Sequence, residues 1–335
     1  MRRLRLALWV GLIAMAFASC SKEKTQEEID SKGLPSSGGK TLEVVLVATD
    51  EVYRGELKDS IGHYFMKACE GLPQAEPLFD VVQMKPEGFF NSDMLQKHRN
   101  VIVIDYKAGN SNKLKATTDY KSYPQAYFVF EVDNRDSLFA LLARYSEKIK
   151  AQFYDNEHRR VAAAFKRLEN TDVTRMLKKK FGFWLTVSEE FYVATEKENF
   201  VWLRKEPKDA SLDIMIYTTP FAGEGMFKEE KIIELRNAIA KENIPGPTRG
   251  SYRGTEERVP CVRREVKIGE YDAIETRGLW RLFGDWMGGP FVNYCFEDKA
   301  NQRFVMIDCF LYSPRHSKRD QLMQLESIVF DIKNK

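Results

Sequence analysis

The densest grouping of side chains able to do recognition chemistry lies between Ile244 and Pro290. Arg249, Tyr252 and Arg253 form one short segment in it, and Arg277, Trp280 and Arg281 echo that segment, each placing an aromatic between two arginines. The stretch closes Gly284-Asp285-Trp286-Met287-Gly288-Gly289-Pro290. An arginine grips carboxylate or phosphate through paired N–H groups. Tyr and Trp offer flat faces to a sugar or an apolar group, and glycines let the backbone turn tightly. Arg249, Tyr252, Arg253, Arg277, Trp280, Asp285 and Trp286 are therefore the candidate ligand-binding residues. The plainer reading is two irregular loops, with Trp280 in the core and Asp285–Pro290 as a hairpin turn.

Three carboxylates are the candidates for acid–base work. Asp50 and Asp105 fall at or just beyond the ends of apolar strand patterns, on one edge if those strands are parallel. That is where open α/β sheets bind ligands, although Asp also commonly starts a turn or caps a helix. Asp308 interrupts the apolar run Phe304–Leu311. A buried carboxylate needs a partner, and an arginine from the loops above would make a structural ion pair.

Known catalytic signatures are missing. His63, His98, His158 and His316 are scattered, and neither they nor the cysteines have metal-ligand spacing, so no metal or cofactor is expected. Gly250-Ser251-Tyr252-Arg253-Gly254 is not a nucleophile elbow, because the serine sits one place early. Gly33–Thr41 falls one residue short of a phosphate loop and precedes the first strand rather than following it.

The clearest single residue is Cys20. Arg2, Arg3 and Arg5 lead into an apolar run from Leu6 to Phe17, which is the layout of an export signal and is too short for a permanent spanning helix. The run ends Phe17-Ala18-Ser19-Cys20 and resembles a lipobox, with Phe17 where Leu is usual. Residues 1–19 read as a lipoprotein signal peptide, and Cys20 as the site of lipidation by acyl chains such as palmitate. Lipid on Cys20 makes the membrane a partner. Removing residues 1–19 takes three arginines and no acid from 52 basic and 49 acidic residues, so the mature chain is neutral. No global basic field remains to attract nucleic acid. Cys69, Cys261, Cys295 and Cys309 are left. The last two sit inside apolar strand patterns, as buried thiols do, and an exported chain also permits disulfides.

The elements that must position these residues follow from periodicity. Residues 20–40 are polar and read as the lipidated Cys and a flexible tether. Residues 41–133 read as a small α/β sheet domain, with strands at Thr41–Ala48, Phe79–Met84, Asn100–Asp105 and Ala126–Val132 and a helix over Leu57–Glu70. Residues 134–181 form a helical connector with a basic polar side, either a solvated face or a membrane-facing one. Residues 182–335 hold crowded short strands joined by turns, with helices at Lys228–Glu242 and Ser317–Ile332. The fold class is α+β or mixed α/β: a small N-terminal sheet domain, the connector, and a mainly antiparallel C-terminal sheet with flanking helices. Both halves read as strands closed by a helix, which suggests an internal duplication.

Several motifs resemble a Bacteroidetes lipoprotein family described only as a domain of unknown function. They are Leu72-Pro73-Gln74-Ala75-Glu76-Pro77-Leu78-Phe79, Asn199–Arg204, Ile244-Pro245-Gly246-Pro247, Arg277-Gly278-Leu279-Trp280 and Met287–Val292. The resemblance spans nearly all of the mature chain and implies a lipid anchor, often at the outer membrane, but no catalytic residue. The residues leave open whether the chain is an enzyme. They favour a non-catalytic binding or structural module of the cell envelope, with an envelope protein or glycan as ligand. The alternative is an envelope hydrolase using Asp50, Asp105 or Asp308.

Overall fold

The computed structural model describes residues 33–334. The export segment and Cys20 lie outside the described residues.

The N-terminal half is built on a five-stranded sheet. Its strands are β1 (Glu43–Val47), β2 (Asp80–Met84), β3 (Asn100–Tyr106), β4 (Lys113–Thr118) and β5 (Ala126–Val132), in spatial order β2-β1-β3-β5-β4. All pairs are parallel except β4, which pairs antiparallel with β5 along the edge. Helices α1 (Glu56–Phe65) and α2 (Arg135–Arg167) cover one face, where Leu57, Ile61, Leu142 and Phe153 meet Val44 and Ile102. Only short helical turns at Pro86–Phe90 and Asp93–Gln96 lie near the other face, where Phe89 packs with Val45, Val101 and Tyr127.

Helix α1 stops five residues before the Glu70 expected from periodicity. Residues 66–69 turn into an antiparallel pairing with 76–79, with Phe79 N donating to Phe65 O and Cys69 N to Glu76 O. The expected helical connector is two helices. Asn170 caps α3 (Thr171–Phe181) by accepting from Val173 N at 3.2 Å, and Gly182 ends it in the left-handed conformation. α2 packs on the N-terminal sheet and α3 on the C-terminal one. Several of the connector's basic residues are ion-paired, as Arg159 is with Asp155, Arg175 with Asp172 and Lys180 with Glu196. The tether expected over 20–40 is docked at its C-terminal end. Gly38 N donates to Lys97 O, Ser37 N donates to Tyr123 O, and Arg160 donates to Ser37 O.

The C-terminal half is antiparallel throughout. β6 (Phe183–Trp184) pairs with β15 (Lys333–Asn334). The main sheet holds β7 (Tyr192–Lys197), β8 (Phe200–Lys205), β9 (Ser211–Pro220), β10 (Tyr252–Thr255), β11 (Val262–Ile268), β12 (Tyr271–Phe283), β13 (Gly288–Asp298) and β14 (Arg303–Tyr312). The order is β10-β12-β13-β14-β9-β8-β7, and β11 shares the outer edge of β12 with β10. One face packs on α3 and α5 (Arg319–Phe330), the other on α4 (Glu229–Asn243). Burial on both faces is why β13 and β14 read as nearly continuous apolar runs. The two halves differ in strand direction and order, so the duplication suggested by the sequence is absent. No helix among the described residues is long and apolar enough to cross a membrane.

Helix α5 joins the halves. Leu322, Leu325, Ile328 and Val329 enter the C-terminal core, while Met323 enters the N-terminal one. Glu76 accepts from Lys318 N and Arg319 N at its start, and the Arg319 side chain donates to Pro77 O and Asp80. His158 of α2 stacks on Phe330 at 4.3 Å, with Nδ1 3.0 Å from Ser327 Oγ.

Burial, aided by the nearby Arg277 charge, pushes the His158 imidazole down to about 4. A neutral histidine of this kind stabilises the fold fully above its unfolded value of 6.5, and that contribution is lost as pH falls from there toward 4. Between pH 7 and pH 4, His158→Phe is therefore expected to lose about 1–3 kcal/mol less stability than the unsubstituted chain, measured by denaturant unfolding. Parallel pH curves would remove the junction histidine from this role.

Candidate functional site

The 244–290 segment contributes to three different places. Arg277 leaves the loops altogether. On β12 it alternates with Trp280 across the sheet, so its side chain lies on the face that packs α5. It donates Nη1 and Nη2 to Glu326 at 2.9 and 2.6 Å and Nε to Glu275 at 2.6 Å. Arg264 adds a second hold on Glu275. Burial alone would raise the Glu275 carboxyl, but Arg277 and Arg264 hold it below its usual value. All groups of the clamp but Arg264 are buried. Gly71 is required beside it, because a Cβ there would stand 3.0 Å from Arg277 Cβ.

Arg253 and Trp280 lie in the core of the opposite face, beneath α4. The Arg253 guanidinium sits 4.2 Å from the Trp280 ring and 3.8 Å from the Phe310 ring. Its Nε and Nη1 have no hydrogen-bond acceptor among the described residues. Burial pushes it down to about 10, with Asp213 the main opposing charge. Asp308 is in the same layer. It accepts from Arg236 Nε at 2.7 Å and Asn293 Nδ2 at 3.0 Å. The expected ion pair exists, but its arginine comes from helix α4 and not from the loops. Arg236 also donates to Thr255 and lies 3.7 Å over Phe291. Sequence reading missed Arg236 and Asp213. The available signal was position: Arg236 is four residues after Ile232 and three before Ile239, both buried on α4.

The third place is the surface where Arg249, Tyr252, Asp285 and Trp286 come together. Thr248 Oγ1 donates to Asp285 Oδ2 at 2.6 Å, fastening the 248–251 turn to the β12–β13 hairpin. Asp285 Oδ1 accepts from Trp286 N, and the Thr248 hydrogen bond, then this one, lowers the Asp285 carboxyl. Gly284, at φ 86°, makes the turn possible. Trp286 is 102% exposed at its tip, and Arg249, next in the chain to Thr248, is exposed as well. Below them Tyr252 stacks on Phe283 at 5.1 Å and 12°. Lys241 lies 4.4 Å over the free side of Tyr252, and Arg281 4.8 Å over Phe283. A Cβ on Gly254 would come 2.7 Å from Phe283, so glycine lets the stack close.

Asp50 and Asp105 share the C-terminal edge of the parallel sheet but not a partner. Asp50 pairs with Lys85, and Asp105 with Lys107 and Asn110. Asp308 is buried in the other half, apart from both, and among the described residues no hydrogen bond or ion pair joins Asp50 to Asp105. No group of three metal-ligating side chains occurs among the described residues. Cys295 and Cys309 are buried free thiols on opposite faces of the sheet. Two surface cavities, a cleft of about 1270 Å³ beside β11 and β12 and one of about 510 Å³ beside α4, are lined by none of the residues singled out in the sequence.

Residues 170–331 match a family model described as Domain of unknown function (DUF4837), and residues 37–166 match one described as Domain of unknown function (DUF8532). The matches meet between α2 and α3. They agree with the motif resemblance as far as it concerned domains of unknown function. No curated protein sequence matches the chain. A similar solved structure is LpqN, described as involved in cell envelope biogenesis of Mycobacterium tuberculosis. It shares 9% identity at a TM-score of 0.28, over 45% of this chain and 82% of that one. A likeness this shallow supports no statement about activity.

Removing one member of a buried pair strands a charge and typically costs about 3–5 kcal/mol. Arg236→Met is expected to destabilise by that amount in urea unfolding, and Arg236→Met with Asp308→Leu to recover most of it. A single-variant loss below about 1 kcal/mol would show that Asp308 does not depend on Arg236.

Proposed function

We propose that this chain is a non-catalytic module of the cell envelope, held to the outer membrane by lipid on Cys20. It binds an envelope glycan or protein through the surface formed by residues 248–252 and 283–286. The observation that carries the reading is Trp286. A whole indole stands in solvent at a tip fixed by the Asp285–Thr248 bond, which joins it to the turn that carries Arg249 and leads into the Tyr252–Phe283 stack. Exposed aromatics beside arginine are the usual anchors of recognition surfaces. A flat ring edged by hydrogen-bonding groups suits a sugar face. Lipid anchoring is supported by the basic start, the short apolar run and Cys20 at its end.

Two measurements test the two parts. Cys20→Ala is expected to move the exported chain from the membrane fraction to the soluble one. Continued membrane binding would overturn the anchor. Trp286→Ala with Arg249→Ala is expected to lower retention of envelope polysaccharide or of cross-linked protein partners at least about tenfold. Folding should be unchanged within about 0.5 kcal/mol, because both side chains are exposed. Unchanged retention of every bound species would overturn the binding surface.

A further inference from the structure

We propose that the edge of the N-terminal half made by residues 90–97 and 119–124 rests on the lipid bilayer. The proposal builds on the lipid anchor at Cys20. Three large side chains are bare along this edge: Met94 is 77% exposed, Tyr120 52% and Phe90 50%. Isolated exposed apolar residues are ordinary, whereas grouped ones mark a contact surface.

These residues come from two loops fastened to each other. Gln96 Nε2 donates to Phe90 O at 2.8 Å, Gln125 Nε2 to Gln96 O at 2.8 Å, and Ser122 Oγ to Lys97 O at 2.8 Å. The patch is thus held in place rather than left on loose loops.

The described chain enters the fold at this same edge. Tyr123 N donates to Pro35 O at 2.9 Å, and Gly38 N to Lys97 O at 2.9 Å. Thirteen residue steps separate Gly33 from Cys20. Fully extended, they reach about 45 Å at most, of the same order as the breadth of a body this size. A lipid on Cys20 therefore keeps this edge within about 45 Å of the membrane, nearer than any other part of the fold is required to be.

The chemistry fits a bilayer surface. Within these two loops Lys97 and Lys121 are offset by Asp93, which pairs with Lys97, and by Asp119, so the charge is balanced and contact depends on apolar insertion. The Lys121 ammonium lies 5.1 Å over the Tyr120 ring. Tyrosine at headgroup level with a lysine reaching outward is the arrangement favoured at membrane interfaces. Such a small area binds weakly alone, but the tether makes docking intramolecular.

The test uses the lipidated chain in vesicles of phosphatidylethanolamine and phosphatidylglycerol. It carries a polarity-sensitive fluorophore on Met94→Cys or, as control, on Lys208→Cys, with the unsubstituted chain as the labelling blank. Headgroup-level spin-labelled lipid should quench the residue 94 probe about threefold more than the residue 208 probe. Phe90→Asp with Tyr120→Asp should abolish that difference. A chain that floats with the vesicles while both probes stay in water overturns the docking and leaves the anchor intact. A chain that does not float, whether or not Cys20 is replaced, overturns both. A probe response that follows protein concentration instead of lipid identifies a second copy as the occupant and overturns the proposal.

Discussion

The seating of helix α5, which joins the two halves, depends on the buried guanidinium of Arg277. This guanidinium holds Glu326 with two hydrogen bonds and Glu275 with two more, in a buried layer between β12 and α5. α5 supplies apolar residues to both cores, as α2 also does through Phe165, so its position helps to fix how the two sheets meet. A buried charge pair contributes little net stability compared with apolar packing, but it tolerates no misplacement, because either partner alone is costly. The clamp thus sets the register of α5. The Glu76 carboxylate and the Arg319–Asp80 pair hold the start of the same helix from the other half.

A second buried charged layer lies on the opposite face of the same sheet. Arg236 and Asp308 pair there, while Arg253 is wedged between Trp280 and Phe310 near Asp213. The two layers explain why a stretch rich in arginine and aromatics does not become one groove. Alternation along β12 sends Arg277 to one face and Trp280 to the other. Arg253, on β10, follows Trp280 inward. What remains for recognition is the smaller surface around Trp286.

The motifs that made the sequence distinctive are mostly architectural. Glu76 and Pro77 of the Leu72–Phe79 motif hold α5. Trp202 of the Asn199–Arg204 motif donates to Asp213 at 2.8 Å. Arg277 and Trp280 of one motif enter the two buried layers. Gly278 leaves no room for a side chain, since a Cβ would stand 2.8 Å from Cys261 Sγ and from Phe291. Unusual residue types at fixed spacings here mark where charge and close approach are built into a core.

The sequence by itself determined the strand and helix pattern. β5 matches the periodicity reading end to end and β3 to within one residue, because side-chain alternation and burial are local properties of a chain. The sequence also raised an arginine partner for Asp308, and beside a ligand-binding role it left open that Trp280 belongs to the core and that Asp285–Pro290 is a hairpin turn, of which Gly288–Pro290 are already strand. Local pattern could not see β4, whose residues are half-buried or exposed and carry no apolar alternation, or β10, hidden among glycines. It could not see that residues 35–39 are docked, because residues far along the chain, among them Lys97, Arg99, Tyr123, Pro124 and Arg160, hold them. Tertiary structure alone decided which arginine serves which carboxylate. That choice depends on the face each strand presents and on which helix covers it, and neither is written in spacing.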